Sequence, residues 1–511
     1  MPIRNHSLIA IAVACIAAGC TFEPKYERPA APVSAAFPAS GVYATQPATT
    51  ASDTANGRAA VDIGWREFFA DPRLQRIIEI ALANNRDLRV AVLKVDAARA
   101  QYRITRSQLF PAIDAKATDT TQRVPRNLSP SGQTIQREYQ VGLNASWEID
   151  FWGRIRSLKD QALEQYLSTA QARKAAEISL VSQVADQYLQ MLAVDDLLKT
   201  TDETLKTAQA SYALTKLQFD NGTGSELDLR QAETVVEQAR ANREAQARAR
   251  AQAENALVLL IGEPLPDDLP AGRGLSDQRL LTDIPAGLPS DLLTRRPGIM
   301  QAEATLRAAN ANIGAARAAF FPTISLTSSL GTASPTLGGL FKAGSAAWSF
   351  APQITLPIFE GGQNLANLDL AHVQKRIEIA QYEKAIQSAF REVADDLAAR
   401  STYDGQIGAL ERNTFAQSRT LELSQLRYQS GVDSYLQVLT AQTNLYTAQQ
   451  SLINARAARL ENLVNLYVAL GGGWIANTGE APRPADAGTE YGSLPAQVPQ
   501  GGASAVKAPA S

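Results

Sequence analysis

Apolar and polar residues alternate without a break from Tyr139 to Phe151. Tyr139, Val141, Leu143, Ala145, Trp147, Ile149 and Phe151 are separated by Gln140, Gly142, Asn144, Ser146, Glu148 and Asp150. A period of two over that length predicts an extended strand with one apolar and one polar face. The pattern returns later in the chain. Trp348, Phe350, Ile354, Leu356 and Ile358 stand against Ser349, Gln353 and Thr355, and Ile324, Leu326 and Leu330 stand against Thr323, Ser325 and Thr327. A fourth strand, around Ile113 to Val124, has the weakest alternation. Such alternation also fits a half-buried strand of a soluble sandwich. The length and the aromatic ends favour a barrel strand with lipid on one face and water on the other.

Between these strands the period changes. Leu163, Leu167, Ala170, Ile178, Val181, Val184, Tyr188 and Leu192 recur at spacings of mostly three and four, and neither proline nor glycine interrupts residues 154 to 220. This predicts one helix of roughly 100 Å, at 1.5 Å per residue. The segment from Ser225 to Ile261 predicts a further helix of roughly 55 Å. A third begins at Asp71-Pro72, where Asp caps and Pro opens the first turn, and ends before Phe110-Pro111. Laid end to end, the two shorter helices match the long one. Alanine and glutamine crowd the stripes, which lets helices approach closely along narrow seams.

The whole arrangement occurs twice. The run from Arg106 to Ile113, with Phe110-Pro111 at its centre, returns from Arg317 to Ile324 with Phe321-Pro322, an offset of 211 residues. Val184-Ala185-Asp186 returns as Val393-Ala394-Asp395, and the run from Leu217 to Gly222 returns from Leu426 to Gly431, both at an offset of 209. Two tandem copies are therefore expected, over residues 65–273 and 274–473. Each reads helix, strand, strand, very long helix, helix. Four lipid-facing strands cannot close a barrel, since barrels begin at about eight. Open edges are not tolerated in lipid. The expected fold is an α+β membrane protein whose strands, four per chain, close as a symmetric trimer into a twelve-stranded β-barrel.

Composition narrows the compartment and the chemistry. Arg4, the apolar run Leu8–Ala18 and Ala17-Ala18-Gly19-Cys20 form a secretory signal over residues 1–19 with small residues before a cysteine. The site resembles a lipobox, which makes Cys20 the acylated first residue of an extended segment over 20–64. Cys15 leaves with the signal, so the mature chain has no second cysteine for a disulfide or thiolate cluster. His6 also leaves, and the remaining His372 is expected on the surface. One histidine and no free thiol equip the chain poorly for zinc, Ser-His or Cys-His chemistry, so neither an enzyme nor a cofactor or metal site is expected. With 51 acidic and 49 basic residues, no nucleic-acid partner is expected. Asp195-Asp196 and Asp395-Asp396 are expected to be solvated helix faces. Residues 474–511, rich in Ala, Pro and Gly, are expected to form a disordered tail.

The chain resembles the TolC-like outer-membrane efflux factors, in particular their lipoprotein (NodT-type) branch. The resemblance rests on Pro24–Pro29, Trp65 to Leu88, Trp147–Arg154, Arg295 to Pro322 and Arg427–Leu436. It implies a homotrimer anchored by lipid in the outer membrane, its twelve-stranded barrel continued by a long periplasmic α-helical barrel, docked to a periplasmic adaptor protein and an inner-membrane proton-driven (RND-type) transporter. It also implies an exit duct for drugs or other small solutes. The alternative is a structural or adhesive lipoprotein with a coiled-coil stalk. In the resembling family the turns at 220–226 and 429–434 lie at the periplasmic tip. By motif position Asp228 and Tyr428 correspond to a closing carboxylate–tyrosine pair, and Asp433 is a further acidic candidate for the gate. Gln437 and Thr440 stand where the type member has acids, so its doubled acidic ring is not carried over.

Overall fold

The computed structural model describes residues 21–38, 40–43, 58–128, 134–281 and 289–480. The signal segment, Cys20 and the tail from residue 481 onward lie outside the described residues. After a helical turn at Trp65–Phe68 come α1 (Pro72–Asn84), α2 (Arg86–Ser107), β1 (Ala112–Arg123), β2 (Ile135–Ile149), α3 (Arg154–Asp220) and α4 (Glu226–Ile261). The same order follows again as α5 (Pro289–Arg295), α6 (Pro297–Ala318), β3 (Thr323–Ser334), β4 (Ala346–Thr355), α7 (Gln363–Gln429) and α8 (Tyr435–Ala469). Both α3 and α7 have 67 residues.

One expected helix is two. The stretch from Pro72 to Ser107 breaks at Asn85, whose backbone leaves the helical region with ψ 131°. Its Oδ1 accepts from the Leu88 amide at 2.8 Å and its Nδ2 donates to the Leu260 carbonyl at 2.8 Å. A side chain that caps the next helix while tying it to the end of α4 offers the backbone a better arrangement than a continuous helix. α2 and α4 then lie along α3, and α6 and α8 lie along α7.

The main core sits where α1 meets the middle of the long helices. Asp71 caps α1 through Arg73 N and also accepts from Tyr188 Oη at 3.0 Å and Gln278 Nε2 at 2.7 Å. Phe68 stacks on Tyr467 with ring centres 4.1 Å apart, and the Tyr467 hydroxyl donates to the Ile63 carbonyl at 2.6 Å. The expected tail does not start at 474. Ile475 is buried, its carbonyl accepts from Trp65 N at 3.0 Å, and Thr478 Oγ1 accepts from Gly64 N at 2.9 Å. This segment completes the core.

The N-terminal residues form a strap along α6. Phe22 stacks on Phe321 at 4.5 Å and on Trp152 at 6.1 Å. Asn310 Nδ2 donates to the Pro24 carbonyl at 2.8 Å, and Arg28 grips Glu303 with two bonds of 2.9 Å. Burial pushes the Glu303 carboxyl up, but hydrogen bonds from Arg28 and Arg307 outweigh it and hold the acid below its ordinary value.

Candidate functional site

Two regions carry chemistry suited to a channel: the sheet and the tip where the long helices reverse. The sheet is antiparallel in the order β1-β2-β3-β4, so β1 and β4 are open edges. Its register aligns Ala115, Leu143, Leu330 and Trp348 in one row, and Asp114, Asn144, Ser329 and Ser349 in the next. Over the rows from Ile113 to Ala117 one face is thus apolar and the other polar, and beyond them Asp119, Arg123 and Arg137 end the apolar belt at the far end of β1 and β2. β1 belongs to the sheet fully, although its own sequence alternates weakly, because pairing with β2 fixes its faces. Leu143, Leu330, Trp348, Phe350 and Ile354 are between 53% and 77% exposed, so nothing among the described residues covers the apolar face. An apolar patch of that extent marks a membrane or partner surface. None of the described helices is long and apolar enough to cross a membrane.

Aromatic and charged groups fix the sheet to the helices. Trp147 Nε1 donates to the Leu109 carbonyl at 3.1 Å and Trp152 Nε1 to the Pro322 carbonyl at 2.9 Å. Glu148 accepts a fork from Arg154, at 2.9 and 2.7 Å. Asp150 accepts from the amides of Ile155 and Arg156, placing a carboxylate at the positive end of α3. The motif Trp147–Arg154 is therefore a joint: alternate residues finish a strand, and its acids start a helix.

The two tip turns are near copies. Gly222 and Gly431 have φ of +74° and +72°, a region that favours glycine, and each amide bonds back three residues at 2.9 Å. Above them the Tyr428 hydroxyl donates to Gln218 Oε1 at 3.0 Å, linking α7 to α3. Asp228, half-buried on α4, is not the partner of that bond in the single chain. Burial pushes the Tyr428 phenol up, and the Asp228 carboxylate adds to the shift. Tyr428 also packs edge-on against Tyr435, with centres 5.3 Å apart, over a small core of Ala232, Tyr435 and Val438. Asp433 accepts a fork from Arg427, at 2.6 and 3.0 Å, and that hydrogen bonding lowers its pKa. Leu217, Leu227, Leu426 and Val432 crown the turns with more than half their surface exposed. Tyr428 and Asp228 are thus brought to one level, while Asp433 turns to its own helix. Gln218 and Arg427, which are repeat equivalents, had no signal in the sequence beyond lying beside the glycine turns.

Higher up, carboxylates gather between the long helices and α8. Asp186 accepts from Ser182 Oγ at 3.2 Å and has its pKa raised to about 7 by burial and then by the charge of Glu461. Asp396 accepts from Asn462 Nδ2 at 3.1 Å and is raised to about 6, mainly by burial. Asp396 is therefore not the solvated residue expected. Its neighbour Asp395 is exposed, paired with Arg391. His372 is half-exposed.

A four-stranded sheet with a bare apolar face, standing on helical hairpins of 67-residue reach, defines the subunit of an outer-membrane export channel. A family model for outer membrane efflux proteins matches residues 77–263 and 288–472, and the chain belongs to that family. The probable efflux pump outer membrane protein TtgC of Pseudomonas putida is 48% identical over 491 residues, covering 96% of this chain and 100% of the relative. The outer membrane protein OprJ of Pseudomonas aeruginosa is 44% identical over 91% of this chain and 95% of its own length. The open state of the Neisseria gonorrhoeae MtrE outer membrane channel superposes with a TM-score of 0.79 at 42% identity, over 90% of this chain and all of that one. The chain is an outer-membrane component of an efflux system.

Proposed function

We propose that three copies of this chain close their sheets into one twelve-stranded barrel and form a gated exit duct for small solutes. The observation that carries the proposal is the sheet with an uncovered apolar face and two open edges. In lipid, unpaired edge groups each cost several kcal/mol, of order 2–7. Joining β4 of one copy to β1 of the next removes every edge. The two tandem copies within the chain, residues 65–273 and 274–473, then supply the duct with two near-equivalent hairpins per protomer.

The tip is the gate. Tyr428 and Gln218 tie α7 to α3, with the Asp228 carboxylate near the phenol, and Asp433 with Arg427 stiffens the second turn. The exposed leucines and Val432 around the turns are the surface for a periplasmic adaptor, which joins the duct to an inner-membrane transporter. Docking loosens the hairpins without chemistry, so the protein is a conduit and not an enzyme. Purified protein in a planar lipid bilayer is expected to conduct ions as a trimer. The pair Tyr428→Phe with Asp228→Ala is expected to raise single-channel conductance severalfold, the neutral Tyr428–Gln218 hydrogen bond contributing about 0.5–1.5 kcal/mol per protomer to the closed form. A wild-type protein that never conducts refutes the duct. Unchanged conductance in the double variant refutes only the latch.

A further inference from the structure

We infer that Lys116 tunes the charge preference of the duct inside the membrane, raising the passage of anionic solutes against the pull of the acids on the same face; the inference rests on the barrel proposed above. Lys116 begins a row that crosses the whole sheet: it pairs with Gly142, Gly142 with Gly331, and Gly331 with Ala347. The two glycines are there because the strands nearly touch. A Cβ on Gly142 would lie 2.6 Å from the Leu330 carbonyl oxygen, and one on Gly331 would collide with the Val141 carbonyl. Close backbone approach of this kind bends a sheet toward closure. It also strips the row of side chains. Beside Lys116 the polar face has nothing larger than a methyl at that level, so its ammonium has the space to itself.

The depth of the residue makes its charge significant. The next row, on the opposite face, is Ala115, Leu143, Leu330 and Trp348, the middle of the exposed apolar belt. A lysine at the level of a lipid-facing belt is tolerated only where it meets water, and such residues mark solute pathways. The other charges on the polar face of the described strands are Asp114, Glu138 and Glu148; β3 and β4 contribute none. Glu148 is engaged by Arg154 at the sheet's base. Lys116 is therefore the one cation on that face among the described strand residues, and three copies make a ring. Rings of charged side chains select ions in pores, with lysine and arginine serving anions.

The test uses the full-length trimer in planar bilayers under a salt gradient, with reversal potential as the readout. Lys116→Ala is expected to lower the anion-to-cation permeability ratio by about fivefold, the weight of one nearby charge in water, with Lys116→Glu, a change of two charges, lowering it further and conductance retained in both. An unchanged reversal potential in a conducting Lys116→Glu channel overturns the inference and leaves the duct standing, whereas a wild type that does not conduct removes the duct itself. A second measurement reads the facing directly. In outer membranes, Lys116→Cys is expected to react with a membrane-impermeant thiol reagent and Ala115→Cys is not. The reverse pattern also overturns the inference.

Discussion

Single side chains in this protein matter most where they are withdrawn from water far from any membrane. Asp186 faces Glu461 and Asp396, with Ser182 donating to it, and Asp396 in turn faces Glu392, Asp395 and Arg296, with Asn462 as donor. A carboxyl raised from 3.8 to about 7 binds a proton in the folded chain that the unfolded chain has already lost. Stability from this group is therefore fully present below pH 4 and falls as pH rises toward 7. Asp186→Asn is expected to flatten that slope and, at pH 8, to stabilise the protein by on the order of 1 kcal/mol, the shift being discounted for partial solvation. Thermal unfolding at pH 5 and pH 8 measures it. A variant that keeps the wild-type pH dependence means that Asp186 is ionised in the fold. Tyr428 and Asp433 have named partners at the turns, Gln218 and Arg427, and on the gate proposed here their substitution is expected to change opening and not folding.

At the scale of elements, each strand is decided by its facing and each helix by its ends. A one-residue slip would carry Leu143 and Leu330 to the polar face, so the sheet register is fixed by its apolar belt. Leu143→Arg places a charge in lipid and is expected to cost about 2–4 kcal/mol near the midplane. Asn144→Arg, one residue along and facing the opposite way, is expected to be mild. Heat-resistant trimer yield on gels compares them, and equal losses mean that the two faces have been exchanged. The helices carry the complementary rule. The 67 residues of α3 and of α7 contain no proline, and both helices stop beside a glycine with positive φ. Helix length sets how far the tip stands from the membrane, roughly 100 Å at 1.5 Å per residue.

For the whole molecule, the question is how the chain is held at the membrane boundary. Phe22 is seated on Phe321 and Trp152 at the base of the sheet, so the strap starts at the end of the strands that adjoins the helices. Under the proposed anchor and barrel, a lipid on Cys20, two residues before Phe22 in the sequence, would add to the hold on the membrane. Each buried methylene adds about 0.8 kcal/mol to such an anchor. Cys20→Ser is expected to abolish incorporation of radioactive palmitate into the mature protein while leaving the trimer able to assemble, since the sheet supplies its own insertion. Label retained by the variant rules out Cys20 as the site.

The sequence by itself determined the elements that neighbours within a few residues encode. Period two from Tyr139 to Phe151 placed β2, the unbroken helical spacing from Arg154 placed α3, and glycines at 222 and 431 placed the reversals. The motifs that resemble the efflux family were legible for the same reason, being short and contiguous. Tertiary structure decided what depends on partners distant in the chain. Tyr428 meets Gln218 across 210 residues, and Asp396 meets Asn462 across 66. Residues 475–478 dock on Gly64–Arg66, and Gly142 lies against Gly331. Asn85 breaks a helix because Leu260, 175 residues away, offers its amide an acceptor. Periodicity records which way a side chain points along its own element. Which atom it meets is fixed only when packing brings two elements together and each buried polar group takes the partner within reach.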